Sequence, residues 1–226
     1  MIKEKIESIL NELPPEVKLV AVSKYHPVDA ILEAHSAGQR RFGENRPQEF
    51  LKKFKAIHEE QGLPRDDFEW HFIGHLQTNK LKMVLPYADL VQSVDSMHLL
   101  EAINDWGKAN ERKVNILLEL HIASEQTKQG FAEEDVLDIM FRAESYTGVR
   151  FCGLMGMATH TSFEEDIRTD FTRIKLCYDY LRDLFPEYVD FRELSIGMSE
   201  DWKVALDYGA TMVRLGTAIF GERELV

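Results

Sequence analysis

The chain has 226 residues, 44% of them hydrophobic, and a formal net charge of −12. That length suffices for one large buried core, which predicts a single domain over residues 1–226. A surface of that sign repels polyphosphate backbones and anionic lipid headgroups, which argues against nucleic-acid and membrane-surface partners.

The first segment, Met1 to Leu13, places Ile2, Ile6, Ile9 and Leu13 among charged residues. This is the spacing of an amphipathic helix, without the apolar block of a signal peptide, so a cytoplasmic protein is expected. Short β-rich runs then follow at Lys18 to Ser23, Arg41 to Glu44, Glu69 to Gly74, Leu90 to Val94, Val114 to His121, Val149 to Met157, Glu193 to Met198 and Met212 to Gly216. Helical patterns lie between them. The clearest is the stripe Phe163, Ile167, Phe171, Ile174, Tyr178, Leu181 and Phe185, with Ser162 and Glu165 as its expected capping box. The polar stretch Glu59 to Asp67 reads as an exposed loop. No run approaches the roughly 18 consecutive apolar residues of a membrane span.

Strands that alternate with helices predict an α/β fold whose strands are parallel. About eight such units in this length fit a closed TIM-type (β/α)₈ barrel preceded by an N-terminal helix. An open doubly wound sheet usually carries a Gly-rich dinucleotide turn after its first strand, and no G-x-G-x-x-G occurs there.

In a barrel, chemistry sits at the C-terminal ends of the strands. Lys24 ends the first of them, after an apolar run from Leu19 to Val22. Burial there favours the neutral amine, the form that condenses with an aldehyde; the alternative is a lysine snorkelling out of a strand end. Near the other end of the chain, Ser195 to Asp201 leads into a helix and Arg214 to Gly221 closes the last strand. Gly197, Ser199, Gly216 and Thr217 are small or hydroxylic residues suited to a phosphate seat after strands seven and eight. Glu200 and Asp201 leave open a helix that satisfies its own dipole. Arg214, flanked by Met212, Val213 and Leu215, cannot shed its charge and needs an acceptor, most simply in a salt bridge. Asn45 either contacts a ligand or shapes a turn.

Other candidates are weaker. His71 and His75 are four apart but fall in a strand and its turn, which offers no shared helical face for a metal. His121 and His160 are placed near the barrel mouth as neutral, hydrogen-bonded rings. Glu133 to Asp135 and Glu164 to Asp166 read as solvated first turns of helices. The two cysteines, Cys152 and Cys177, form no C-x-x-C pair and stand at no zinc-ligand spacing, so they read as reduced packing residues.

Five segments together carry a resemblance: Leu19 to Lys24, Phe42 to Asn45, Trp70 to Lys80, Leu194 to Asp201 and Met212 to Gly221. In order and separation they resemble the pyridoxal phosphate homeostasis protein family, whose barrel is like the N-terminal domain of alanine racemase, in the fold type III class. The resemblance implies a protein that binds pyridoxal 5′-phosphate (PLP) as a Schiff base on Lys24. It sets Arg214 against the pyridine nitrogen, Ser199, Gly216 and Thr217 on the phosphate, and Asn45 and Ser195 along the site. It departs from the family pattern at Arg46 to Glu49, at Ser124, and in Gly153 to Ala158, which lacks a proline often found there.

By that resemblance the protein buffers or carries PLP as a monomer, without catalysis, with PLP-dependent acceptor enzymes as its conceivable partners. Two rivals stand beside it. A fold type III racemase needs a second base, a tyrosine from an added β-domain in alanine racemase, which is not expected in a sequence ending at Val226. An aldolase-like barrel would use Lys24 on a phosphorylated sugar and need no cofactor.

Overall fold

A computed structural model describes residues 2–125 and 129–222; Met1 and Val226, the predicted ends of the domain, lie outside the described residues. Helix α1 (Ile2–Glu12) precedes eight strands that close into a parallel barrel in sequence order. The strands are β1 (Lys18–Val22), β2 (Arg41–Glu44), β3 (Glu69–Phe72), β4 (Leu90–Val94), β5 (Val114–Leu120), β6 (Val149–Gly156), β7 (Glu193–Ser195) and β8 (Met212–Leu215). The helices that return the chain are α2 (Val28–Ser36), α3 (Pro47–Lys55), α4 (Leu81–Val84), α5 (Met97–Ala109), α6 (Glu133–Phe141), α7 (Glu164–Leu184) and α8 (Trp202–Asp207); α9 (Thr217–Phe220) follows β8. Every predicted run contains its strand, and the runs overshoot only at C-terminal ends, where the chain leaves the ladder to form the mouth.

Burial follows from alternation. Successive strand residues face opposite sides, so one set packs outward on the helices and the other fills the barrel. The outer set joins α1 to α9 in one apolar layer that includes Ile6, Ile31, Phe50, Trp70, Phe171 and Leu194. The inner set is a separate small cluster of Val20, Leu90, Leu117, Met155 and Met212. The interior also holds polar side chains: His71, Gln92, Ser195 and Arg214 are all buried. They stand two residues from an interior neighbour on the same strand, as His71 does from Glu69 and Arg214 from Met212.

Two local expectations are corrected. Ser162 and Glu165 form no capping box: α7 begins at Glu164 with Phe163 as its N-cap and no side-chain cap. The Phe163 amide donates instead to the Thr161 hydroxyl at 3.1 Å, and Glu164, Glu165 and Asp166 supply first-turn negative charge. Phe163 itself is 70% exposed, so the apolar stripe runs from Ile167 to Phe185. The stretch Glu59 to Asp67 is only partly a loop. Its start continues α3 as a π-turn, and Arg65 ties its end to Asp89 at 2.6 Å.

Barrel closure leaves no room at Gly153 in β6, which has a φ of +145°. A Cβ there would stand 1.8 Å from the carbonyl oxygen of Glu193 on β7. Gly153→Ala should therefore destabilise the fold by about 3 kcal/mol, from the positive φ and the backbone clash together. Urea denaturation checks this; an unchanged midpoint would mean that the β6–β7 ladder adjusts freely.

Candidate functional site

The first strand delivers Lys24 by a loop held on both sides. Before it, the buried Ser23 hydroxyl donates to Glu44 at 2.6 Å. After it, Tyr25 adopts a φ of 67°, a left-handed conformation that a tyrosine keeps only when its surroundings demand it. The Tyr25 amide donates to Glu49 at 2.6 Å, and the Arg46 guanidinium lies 4.6 Å over its ring. Lys53 joins these pieces, donating to the Ser23 carbonyl and to the Glu44 and Glu49 carboxylates, each at 2.7 Å. Burial raises the Glu44 carboxyl above its usual range, while Lys53 and Ser23 pull it down. Removing one partner of a buried pair of this kind typically costs about 3–5 kcal/mol, because the other is left uncompensated.

The last two strand ends build the adjoining wall. Gly216 forms the N-cap of α9, and the Ser199 hydroxyl oxygen accepts from the Gly216 and Ala218 amides at 3.2 and 3.3 Å. The Ser199 O–H has no acceptor among the described residues. Asp201 does not fill this seat: it is the N-cap of α8, and its carboxylate turns back to the Met198 amide at 2.5 Å. Burial raises its carboxyl, opposed by the Met198 hydrogen bond and the Arg214 charge.

Arg214 is 4% exposed and meets no carboxylate within ion-pair distance among the described residues. Its Nη1 donates to the carbonyl and the hydroxyl of Ser195, both at 2.7 Å, and its Nη2 to the Gly156 carbonyl at 2.9 Å. A guanidinium has five N–H groups, so Nε–H and one Nη2–H are left without a protein acceptor among the described residues. Burial lowers its pKa to about 10, against the opposing pull of Glu119 and Asp201, and it stays a cation at neutral pH.

These walls enclose a cavity of about 610 Å³ at the C-terminal mouth of the barrel. Lys24, Ser199, Arg214, Gly216 and Thr217 line it together, with Val22, Ile73, Met155 and Met157 as apolar wall. The structure thus brings together five of the seven residues singled out in the sequence. Ser195 is not on the wall; it is fully buried beneath Arg214. Asn45 is not on the wall either: its neighbour Gly74 packs so closely that a Cβ there would stand 2.2 Å from the Asn45 carbonyl oxygen. The Asn45 side-chain oxygen is buried without a hydrogen-bond partner among the described residues.

The histidines divide. His71 and His75 have separate partners: His71 lies between Glu69 and Gln92, and His75 is 2.8 Å from Asp95. His160 lines the cavity but is exposed at its rim, and His121 is half-buried away from it. Cys152 and Cys177 are free thiols pushed up by burial to about 11 and about 12, which suits packing and not reactivity. Sequence reasoning missed Glu119, an inward-facing carboxyl on β5 that is 5% exposed. Its only signal was a single acid two residues after Leu117 in a stretch otherwise apolar from Ile116 to Leu120. Burial and the nearby Asp95 raise it to about 7, against the pull of Arg214 and His75.

A raised carboxyl binds its proton more tightly when folded. The stability it contributes is complete below the ordinary 4.5 and is lost as pH rises through about 7. Glu119→Gln should therefore remove a decline of up to about 3 kcal/mol between those pH values, seen as the difference between wild-type and variant urea midpoints. Parallel pH profiles would show that Glu119 ionises freely in the fold.

Comparison with known proteins gives a consistent result. The family described as alanine racemase, N-terminal domain, matches residues 1–224. The pyridoxal phosphate homeostasis protein of Haemophilus influenzae is 36% identical over 227 residues, 99% of this chain and 93% of that protein. PipY of Synechococcus elongatus PCC7942, solved without PLP and with PLP bound, superposes with TM-scores of 0.90 and 0.87 at 36% and 35% identity. Both alignments cover 98% of this chain and all of PipY. The alanine racemase of Clostridium difficile 630 superposes with a TM-score of 0.75 at 15% identity, covering 98% of this chain but 56% of the racemase, and shares the fold.

Proposed function

Since the chain belongs to the alanine racemase N-terminal-domain family and, within it, to the pyridoxal phosphate homeostasis proteins, we propose that it binds PLP at the barrel mouth and buffers or carries it without catalysis. The observation that carries this reading is the single cavity that joins an amine, a hydroxyl-and-amide seat and a buried arginine with spare donors. When bound there, PLP supplies an aldehyde that can be captured reversibly and a ring whose electron-withdrawing power depends on its nitrogen.

The chain's own residues divide the work. Lys24, half-buried at the barrel mouth, would hold the aldehyde as a Schiff base. Ser199 and Thr217 offer hydroxyls to the phosphate at the start of α9, where the Gly216 and Ala218 amides hold Ser199 in place. Arg214 turns an unused N–H to the ring nitrogen. A fixed cation there keeps that nitrogen unprotonated and the ring a weak electron sink, which restrains chemistry at the α-carbon of any amino acid. Such a site holds its cargo and lets it go, which suits release to PLP-dependent enzymes.

The purified protein should absorb in the visible after addition of PLP, and borohydride should fix a pyridoxyl group on Lys24. With PLP at about 100 times its dissociation constant, the folded state should gain about 2.7 kcal/mol. Lys24→Ala should lose both the fixed group and most of that gain; a protein that takes up no PLP would overturn the reading. The absence of catalysis has its own measurement. Incubated with alanine and other amino acids in deuterated water, the loaded protein should show no α-proton exchange above the PLP-only control. Exchange at turnover rates would make it an enzyme.

A further inference from the structure

Beneath Arg214 the barrel interior holds polar groups that the binding chemistry does not use. His71 and Gln92 are fully buried on the adjacent strands β3 and β4, and neither lines the cavity. They complete a continuous chain across the barrel. Arg214 Nη1 is 2.7 Å from Ser195 Oγ, Ser195 Oγ is 2.7 Å from Gln92 Oε1, Gln92 Nε2 is 2.7 Å from His71 Nδ1, and His71 Nε2 is 2.9 Å from Glu69 Oε1.

The orientation of Gln92 gives every link a direction. A guanidinium only donates, so Ser195 Oγ accepts from Arg214, and Ser195 Oγ donates its own proton to Gln92 Oε1. At the far end Glu69 only accepts. Burial pushes its carboxyl up, but the hydrogen bond from His71 and the charges of Arg41 and Lys18 outweigh this and hold it below its usual range. With its oxygen taken by Ser195, Gln92 donates its amide N–H to His71 Nδ1, and His71 turns an Nε2 proton to Glu69. All the dipoles align from the Arg214 cation to the Glu69 anion, an arrangement in which each bond strengthens the next.

We infer that His71 and Gln92 are positioning residues for Arg214: this one-way chain sets the guanidinium so that its free N–H groups face the ring nitrogen of the bound cofactor. The inference rests on the PLP reading above and extends it to two residues on the opposite side of the barrel. It differs from mere satisfaction of buried polar groups, because it ties them to one atom of the ligand.

That atom can be removed. The probes are PLP and its 1-deaza analogue, in which the ring nitrogen is replaced by C–H, titrated into wild type and Gln92→Leu. Wild type should bind PLP about tenfold more tightly than the analogue, the worth of one hydrogen bond from a charged donor. Gln92→Leu should bind the analogue as wild type does and PLP about tenfold more weakly, so that the preference disappears. Gln92→Glu, which keeps an acceptor toward Ser195, should restore part of it. A preference retained in Gln92→Leu, or equal weakening of both ligands, would overturn the inference. A wild type that does not discriminate would instead remove the Arg214 contact on which the inference stands. Should Gln92→Leu fail to fold, Ser195→Ala allows the same comparison, and nitrogen NMR of wild-type His71 gives a second measurement. A neutral ring protonated on Nε2 is expected; protonation on Nδ1 would refute the chain.

Discussion

The site depends on the ladder between β1 and β8. These strands are the first and last of the chain, and they pair in parallel, with Val20 opposite Arg214 and Ala21 opposite Leu215. That register carries Lys24, two residues beyond β1, to the same end of the barrel as the Gly216–Thr217 turn. Residues almost two hundred positions apart meet because the sheet has no edge. Closure also satisfies the backbone hydrogen bonds that an open edge strand would leave to solvent.

A closed barrel of this size must fill its own interior, and here it does so with two chemistries. The lower half takes Val20, Leu90, Leu117 and Met212, whose packing requires only volume. Among them run His71, Gln92, Ser195 and Arg214, polar groups whose burial is tolerable only because each finds a partner. The same rule governs the rim, where Lys53 is held by two carboxylates and a carbonyl under the loop of Lys24. Such networks lock the backbone more tightly than apolar contacts would, since a small shift leaves a charge unmatched. The strained Tyr25 shows where that rigidity is spent, directly after Lys24.

Family and geometry carry different parts of the functional argument. The alanine racemases share the barrel at low identity, and this chain spans little more than half of the Clostridium difficile enzyme. The homeostasis proteins match almost end to end at more than twice that identity. A fold common to both does not distinguish carrier from catalyst.

Strand order, helix order and the candidate lysine were legible in the sequence, because period-two and 3.6-residue apolar patterns are local and Lys24, Ser199, Arg214, Gly216 and Thr217 lie at strand ends. The expected capping box failed for a local reason: Ser162 precedes the N-cap by one residue, and Thr161 makes the hydrogen bond instead. Other features had no local signal. Ser195 lies under the site and not in it, Asn45 stands off the wall, and Glu119 is driven to about 7 by burial, with Asp95 just beyond β4 adding to it. The chain from Arg214 to Glu69 draws on four strands. Sequence alone determined which residues lie on the strands, since apolar patterning along the chain is local. Only the tertiary structure decided which of them touch, because the stagger of one strand against the next is set by closing the whole barrel.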